Sequence, residues 1–267
     1  MRNTLRYACI FVSLLTSYRG MAFNPSNSLR DFCTDRTTSE FTKDLTRNSD
    51  NLMSFRNYGG IGNGGVCWWH SRFQRNSLYL TIFRPDLKKP STEEAIQIIK
   101  KLRAAKEVVT IPGFDHFVDF SRVHHDLIQA ELEAWQIADG AKFAWIRGLK
   151  GSSVVTSDKL KTLMDELYRE VEIRGNIAYQ KLQIKGITAH AWLVVKVKPE
   201  DNGYLLEVLD SNYPRATNFY RYRYGNTHFT HRYYGDFTPY LEETKEMGRI
   251  NSTIVSTCIP KKNVAKN

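Results

Sequence analysis

A cysteine that directly follows a glycine-rich loop has the surroundings of a nucleophile. Residues 59–65 contain five glycines, and Cys67, Trp68 and Trp69 follow them. A glycine backbone can approach a substrate closely. Because residues 71–83 can be helical, Cys67 is predicted to lie in the first turn of a helix, where the helix dipole favours the reactive thiolate. We therefore interpret Cys67 as a catalytic nucleophile.

His190 is the histidine whose surroundings fit a base for that cysteine. It lies in the segment Ile187–Val197, whose other residues are largely apolar or β-branched and predict a strand. An imidazole in such a strand needs a polar partner, and a catalytic base needs a third group that orients it. The neighbouring segment should therefore contain an acceptor for His190.

The next predicted strand, Tyr204–Leu209, leads directly into two such acceptors. A three-residue hairpin loop would place His190 opposite Asp210, and a five-residue loop would place it opposite Asn212. Both side chains point to the same side of the strand, so either register puts an acceptor beside the imidazole. Asp210 is preferred because a carboxylate also stabilises the imidazolium, and Asn212 is the alternative.

These residues predict covalent catalysis at a carbonyl carbon. His190 would accept the thiol proton of Cys67, or hold a thiolate–imidazolium pair with it, and the sulfur would form a thioester with the substrate. The backbone N–H of Cys67 and the side chain of Asn63 would bind the oxyanion. The alternative for Asn63 is a turn residue in the left-handed conformation, which Asn tolerates.

Other residues near these motifs have two interpretations each. Trp68 and Trp192 are predicted either to line the site or to fill the core beneath it. The spacing of Cys67 and His70 could be half of a metal site, but the chain has no second cysteine pair, so no metal and no cofactor is predicted. Segment Phe219–Tyr224 alternates aromatic and basic residues, which is typical of an amphipathic strand or of a groove for an acidic or polymeric substrate.

Two segments resemble the catalytic motifs of papain-like and transglutaminase-like cysteine enzymes. Gly-Gly-Val-Cys-Trp-Trp is similar to the motif in which a cysteine opens a helix after a glycine-containing loop. His-Ala-Trp-Leu-Val-Val, followed by Tyr-Leu-Leu-Glu-Val-Leu-Asp-Ser, is similar to a transglutaminase-type strand and its Asp-ending partner. The resemblance covers about residues 59–83 and 186–213, and it implies that Cys67, His190 and Asp210 are the catalytic triad.

The resemblance also implies a papain/transglutaminase-like fold and a hydrolase that cleaves an amide bond in a peptide or protein substrate. Acyl transfer to an amine is the alternative, because the two features of the resemblance differ. The Cys67-to-His190 spacing is closer to that of papain-like enzymes, whereas the His-Ala-Trp strand is transglutaminase-like. Papain-like peptidases carry a Gln upstream of the cysteine, where this loop offers Asn63. A catalytically inactive binding or structural protein of the same fold is the third hypothesis.

The order of elements predicts a helical first half and an antiparallel sheet in the second, an α+β fold with the nucleophile helix packed on the sheet. Ser91 and Glu94 form a capping box, which predicts a helix to about Ala105. Further helices are predicted over residues 38–45, 121–138 and 156–173, and short strands over 108–111 and 142–146. The sheet strands are predicted over 177–184, 187–197, 204–209, 218–224, 227–234 and 252–259.

Residues 1–22 have the pattern of a secretory signal peptide. They contain basic residues, a short apolar segment over 7–15 and small residues near the expected cleavage point. The apolar segment is too short to span a bilayer. We therefore predict export to the periplasm or the cell exterior, no stable membrane insertion, and a single catalytic domain over residues 23–267.

The cysteine count predicts one disulfide bond. Cleavage of the signal peptide would remove Cys9 and leave Cys33, Cys67 and Cys258. In an oxidising compartment two of these three would pair. Pairing Cys33 with Cys258 is the economical choice, because it leaves the cysteine of the glycine-rich motif free.

The basic residues of the chain are scattered. The net charge of +10 permits binding to polyanions, but no run of five or more basic residues occurs. We therefore predict no nucleic-acid partner, and the expected partner is a peptide or protein substrate.

Overall fold

The structure, a computed structural model, describes residues 24–38, 40–141, 151–186, 188–242 and 244–259. These residues form helices and an antiparallel sheet, which confirms the α+β class. The predicted signal peptide, residues 1–22, and the strand predicted over residues 142–146 lie outside the described residues. Within the described ranges, no helix is both long enough and apolar enough to cross a lipid bilayer.

Most of the helices precede the sheet along the chain. The helices are α1 (Leu29–Asp35), α2 (Glu40–Leu45), α3 (Cys67–Leu80), α4 (Thr92–Ala104), α5 (Phe117–Val123), α6 (His125–Gly140), α7 (Ser157–Tyr168) and α8 (Thr244–Cys258). The strands are β1 (Thr81–Arg84), β2 (Val109–Pro112), β3 (Ala178–Gln183), β4 (Ala189–Glu200), β5 (Gly203–Asp210), β6 (Thr217–Arg223), β7 (Phe229–His231) and β8 (Gly235–Glu242). Short helical turns lie at Ser49–Asn51, Ile61–Asn63 and Arg169–Ile173.

Helix α4 forms where the capping box predicted it. The Ser91 hydroxyl accepts a hydrogen bond from the Glu94 backbone N–H at 3.3 Å, and the Glu94 carboxylate accepts one from the Ser91 N–H at 2.7 Å. Its predicted apolar face is buried: Ala95, Ile98, Ile99 and Leu102. Three of these side chains, Ile98, Ile99 and Leu102, pack in the same core as α3, so α4 supports the helix that carries Cys67.

The antiparallel sheet has the strand order β6-β5-β4-β3-β8-β7, while β1 and β2 form a separate parallel pair. Successive residues of β4 enter two different cores, as expected from strand geometry. Ala191 and Leu193 pack with residues of α3, whereas Trp192 and Val194 pack with residues of α7 on the other face. The Ser71 hydroxyl of α3 donates to the Ala191 carbonyl at 3.3 Å, so the nucleophile helix lies directly on the sheet.

The C-terminal segment is a helix, so the strand predicted over residues 252–259 is wrong. Helix α8 buries Ile250 in the core that it shares with α3. Its buried Glu246 carboxylate accepts hydrogen bonds from Arg72 and Arg75 of α3, at 2.9 and 2.6 Å. These long-range contacts outweigh the β-branched residues of the segment, which favour a strand only locally.

Two other predicted boundaries are corrected by local backbone geometry. The helix predicted over residues 121–138 is divided into α5 and α6, because His124 between them is non-helical (φ −107°, ψ 28°). The strand predicted over residues 227–234 is reduced to β7, and the unpredicted β8 follows, starting at Gly235 with φ 73°. The short helix predicted over residues 38–45 is confirmed as α2.

A disulfide bond joins Cys33 in α1 to Cys258 at the end of α8, which confirms the pairing predicted from the cysteine count. Cys67 is a free, buried cysteine. Because Glu246 binds α8 to α3 and Cys258 binds it to α1, helix α8 links the N-terminal helix to the nucleophile helix. Such a cross-link between distant residues stabilises a fold largely by restricting the unfolded chain.

Candidate active site

Cys67 is the first residue of α3, in agreement with the sequence prediction. Its side chain is 8% exposed. The preceding residue, Val66, makes no side-chain hydrogen bond to the first turn. The N–H groups at this end of the helix are therefore not capped by that side chain, and they favour negative charge at the Cys67 sulfur and beside it.

Helix α6 supports the glycine-rich loop from one side. The Glu133 carboxylate accepts a hydrogen bond from the Gly60 N–H at 3.0 Å. The Gln136 side chain accepts from the Ile61 N–H at 2.8 Å and donates to the Gly65 carbonyl at 3.1 Å. Because glycines have a large conformational freedom to lose, these contacts are needed to hold the loop in one conformation.

Asn57 also supports the glycine-rich loop and connects it to the sheet. Its Oδ1 accepts from the Val66 N–H at 2.5 Å, its Nδ2 donates to Asn212 Oδ1 at 2.7 Å, and its backbone N–H donates to the Ser211 carbonyl at 2.8 Å. Asn57 thus connects the nucleophile loop to the chain just beyond Asp210. The sequence does not single out Asn57, because a single Asn in a polar loop carries no distinguishing pattern.

His190 and Asp210 form a buried hydrogen-bonded pair. His190 Nε2 lies 2.7 Å from Asp210 Oδ1, and the two residues are 5% and 1% exposed. The same carboxylate oxygen accepts from the Asn212 backbone N–H at 2.8 Å. Since Nε2 is bound to Asp210, Nδ1 is the ring nitrogen that remains for Cys67.

The electrostatics of His190 link it to Cys67 as well as to Asp210. Burial acts to lower the pKa of His190, but the charge of Cys67 and the hydrogen bond to Asp210 outweigh it and raise this pKa to about 10. A hydrogen bond to the Cys67 side chain acts in the same direction. Burial acts to raise the pKa of Asp210, and the hydrogen bond and charge of His190 outweigh it and lower this pKa. Both shifts favour a charged imidazolium hydrogen-bonded to a charged Asp210 carboxylate.

The turn between β4 and β5 differs from both predicted hairpin loops, but the register at the site matches one of them. Glu200 pairs with Gly203 across a shorter turn, and a bulge in β4 between Val194 and Lys196 shifts the pairing. Asp210 then lies opposite Trp192, the alignment expected for the five-residue loop. His190 is the diagonal neighbour of Asp210, and such neighbours are within reach of long side chains. Asn212 lies beyond the end of β5, where it binds Asn57 instead.

A cleft of about 490 Å³ opens beside Cys67, and Trp68 is one of its lining residues. The Lys181 ammonium lies 4.1 Å from the centroid of the Trp68 ring. Trp192, by contrast, is 0% exposed and donates its indole N–H to Gln180 at 3.0 Å, so it fills the core on the far face of the sheet.

Asn63 is exposed and has a left-handed backbone (φ 57°). These features match the turn interpretation. Asn63 lines a hollow on the other side of the loop, and it does not line the cleft that contains Cys67. The structure therefore does not bring the predicted oxyanion side chain into that cleft.

Tyr240 places a buried hydroxyl near Cys67 that the sequence analysis missed. Lys181 pairs with Leu241 and Leu182 pairs with Pro239, so Tyr240 is the extra residue of a bulge in β8. Its hydroxyl is buried without a hydrogen-bond partner among the described residues. Burial and then the charge of Cys67 raise the pKa of Tyr240, which keeps the hydroxyl a donor. No sequence pattern indicates this residue, because a bulge depends on the paired strand.

His70 is a packed core histidine. Its Nε2 donates to the Phe55 carbonyl at 2.8 Å, and burial lowers the pKa of His70 to about 4 even though this hydrogen bond opposes the shift. Across the described part of the chain, no three His, Cys, Asp or Glu side chains are grouped so that they could hold a metal ion. His70 therefore supports the packing beneath the site.

Comparisons of this chain with models of protein families, with curated proteins and with solved structures found no match.

Proposed function

We propose that this protein is an exported cysteine-dependent hydrolase that cleaves an amide bond of a peptide or protein, with a papain/transglutaminase-like fold. The observation that supports this best is the environment of His190. One ring nitrogen is hydrogen-bonded to Asp210, and the ring interacts with Cys67 at the edge of a cleft. A buried imidazolium between a carboxylate and a sulfur favours the thiolate, which is the reactive form of cysteine.

In the proposed reaction the Cys67 sulfur attacks the carbonyl carbon and forms a C–S bond. The carbonyl oxygen takes up the electron pair and is stabilised by N–H groups at the start of α3. His190 gives its proton to the amide nitrogen as the C–N bond breaks, so that an amine leaves and a thioester remains. His190 then takes a proton from water, hydroxide adds to the thioester carbon, and the C–S bond breaks to release the acid and the thiolate.

Asp210 would act through His190 rather than on the substrate. Its carboxylate keeps the imidazole oriented with Nδ1 toward the sulfur and stabilises the positive charge on the ring. An amine in place of water would accept the same acyl group, so a transglutaminase-like transferase would use the same residues.

The disulfide supports the proposed exported location, periplasmic or extracellular. A bond such as Cys33–Cys258 persists in oxidising compartments and is rare where thiols are kept reduced.

The test compares the wild-type protein with its Cys67→Ser variant on a mixture of fluorogenic peptide amides. We expect the variant to lose at least about 1,000-fold in turnover, because a hydroxyl lacks the acidity of a thiol. Iodoacetamide should alkylate Cys67 of the wild-type protein at pH 7, as read by peptide mapping. Turnover that is untouched by Cys67→Ser would refute the proposal.

Two further readouts separate the alternatives. Adding methylamine to a reacting mixture gives the free acid alone if the protein is a hydrolase, and a methylamide conjugate if it is a transferase. A Cys67 that iodoacetamide does not modify, together with no turnover, would favour the inactive binding protein of the same fold.

A further inference from the structure

Two hollows meet at the glycine-rich loop. The cleft that contains Cys67 has a volume of about 490 Å³, and a second hollow beside it has about 370 Å³. Gly64 and Gly65 line both, so the backbone of these residues is a low ridge between the two. We call the first the cysteine cleft and the second the polar hollow.

The ridge is kept low by its sequence. Gly65 has φ 86°, and a β-carbon at this position would lie 2.5 Å from Asn57 Oδ1. A side chain is therefore excluded at Gly65 on both conformational and steric grounds. An extended chain can cross the ridge at this point with its backbone close to that of the loop.

The two hollows have different chemistry. The side chains of the cysteine cleft are largely apolar or aromatic: Ile61, Trp68, Trp69 and Ala189. Those of the polar hollow offer hydrogen-bonding groups and one cation: Arg56, Asn57, Tyr58, Asn63, Asn212 and Tyr213. A ligand that occupies both must carry an apolar group on one side and a polar or charged group on the other.

Arg56 determines the sign of that charge. It is exposed, and it forms no ion pair or hydrogen bond with any other residue that the structure describes. The four carboxylates of helix α6 already have partners: Asp126 binds His125, Glu131 binds Arg103, Glu133 binds Gly60 and Asp139 binds Arg72. Arg56 is therefore the charge of the polar hollow that is free to bind a ligand carboxylate.

The amide groups of the hollow are already ordered. Asn57 and Asn212 are hydrogen-bonded to each other at 2.7 Å, and Asn57 is half-buried. A ligand that binds beside them does not have to order these side chains, which lowers the entropic cost of binding.

The net charge of +10 also favours the approach of acidic ligands.

We infer that the substrate is an extended peptide that crosses the Gly64–Gly65 ridge, with an apolar residue in the cysteine cleft and an acidic residue beside Arg56. The inference rests on the proposed function for the identity of the chain as a peptide. It adds a specificity-determining residue, Arg56, that takes no part in bond cleavage.

The test measures binding rather than turnover. The full chain carrying Cys67→Ala is titrated against fluorescein-labelled peptides in which a central Phe is flanked on both sides by one or two Gly and then by Glu, Gln or Lys. Placing the variable residue on both sides removes any assumption about chain direction. We expect the Glu peptides to bind about three- to fivefold more tightly than the Gln peptides, as for an exposed ion pair, and the difference to shrink at 0.5 M salt.

Substitutions at Arg56 decide the outcome. Arg56→Gln should make the Glu and Gln peptides bind equally, and Arg56→Glu should make the Lys peptides bind best. Arg215→Gln is the matched control, because Arg215 is exposed nearby but paired with Asp50 at 3.2 Å. Equal binding of all peptides to the parent, no binding of any, or an equal effect of the control would overturn the inference. Since Cys67 is absent, an inert cysteine in the activity test would not alter this result.

Discussion

Two histidines of this protein are hydrogen-bonded to carboxylates at almost the same distance, and the two pairs differ in burial. His190 Nε2 lies 2.7 Å from Asp210 Oδ1, and His125 Nδ1 lies 2.8 Å from Asp126 Oδ1. The side chains of the first pair are 6% and 1% exposed, whereas those of the second are 35% and 98% exposed. The distance between the two groups therefore does not identify the site.

The surroundings of the two pairs give them different capabilities. Water screens the interaction of His125 with Asp126, so this pair contributes little energy. His125 Nε2 lies 2.6 Å from the Tyr58 hydroxyl, and this contact supports the chain that leads into the glycine-rich loop. The His190 pair is removed from water and interacts with Cys67, so the charges act on each other strongly. Burial beside a nucleophile therefore makes such a pair a candidate for catalysis.

The largest expected effect is on turnover when each histidine is replaced. His190→Gln should reduce turnover of the fluorogenic peptide amides by about 1,000-fold, within the range for loss of a general acid–base. His125→Gln should reduce it by no more than about threefold, since its ring lies outside the cleft. Circular dichroism checks that both variants fold. Comparable losses in the two variants would show that the buried pair has no special role.

A smaller effect is expected when each carboxylate is neutralised. Asp210→Asn should reduce turnover about 100-fold and slow alkylation of Cys67 by iodoacetamide at pH 7, because the amide does not stabilise the imidazolium. Asp126→Asn should leave both rates within about twofold, as expected for a screened surface pair. A merely structural role for Asp210 would change the urea midpoint and leave the alkylation rate of the folded variant unaltered.

The smallest effect concerns the pH dependence of stability. The pKa of His190 is raised to about 10 in the folded protein, from about 6.5 when unfolded. Above about pH 6.5 the native state therefore keeps a proton on His190 that the unfolded state loses. The contribution of this protonated His190 to the stability of the fold is full below about pH 6.5 and is lost as the pH rises toward 10. The urea midpoint should fall between pH 7 and 10, and His190→Gln should flatten this slope. An equal slope in the variant would contradict the assignment.

The sequence patterns that predicted the structure correctly involve residues close together in the chain. Ser91 and Glu94 are three residues apart and form the capping box on their own helix. Helix α3 begins at Cys67, directly after the glycine-rich loop. The sequence predicts this start because glycines interrupt a helix and the apolar residues that follow favour one, and both effects extend over only a few residues. Alternation of residue types placed His190 and Asp210 on neighbouring strands, which limited the possible partners of the imidazole to two.

The structural features that the sequence did not predict depend on residues far apart in the chain. The β-branched residues of α8 predict a strand. The segment forms a helix because Glu246 pairs with Arg72 and Arg75 of α3, and these residues are far from it in the sequence. Tyr240 approaches Cys67 through a bulge that is set by pairing with β3. The order of the loop depends on Asn57, whose partner Asn212 is 155 residues away.

The sequence by itself determined the α+β class, the start of the helix at Cys67, the pairing of Cys33 with Cys258 and the two candidate partners of His190. These follow from short-range backbone preferences and from counting. The tertiary structure decided that Asp210 binds the imidazole, that Asn63 stays outside the cysteine cleft, that Tyr240 is the extra residue of a bulge in β8, and that Arg56 lines the polar hollow. Those outcomes depend on strand bulges and burial, which arise when distant segments pack together and which no short stretch of residues can specify.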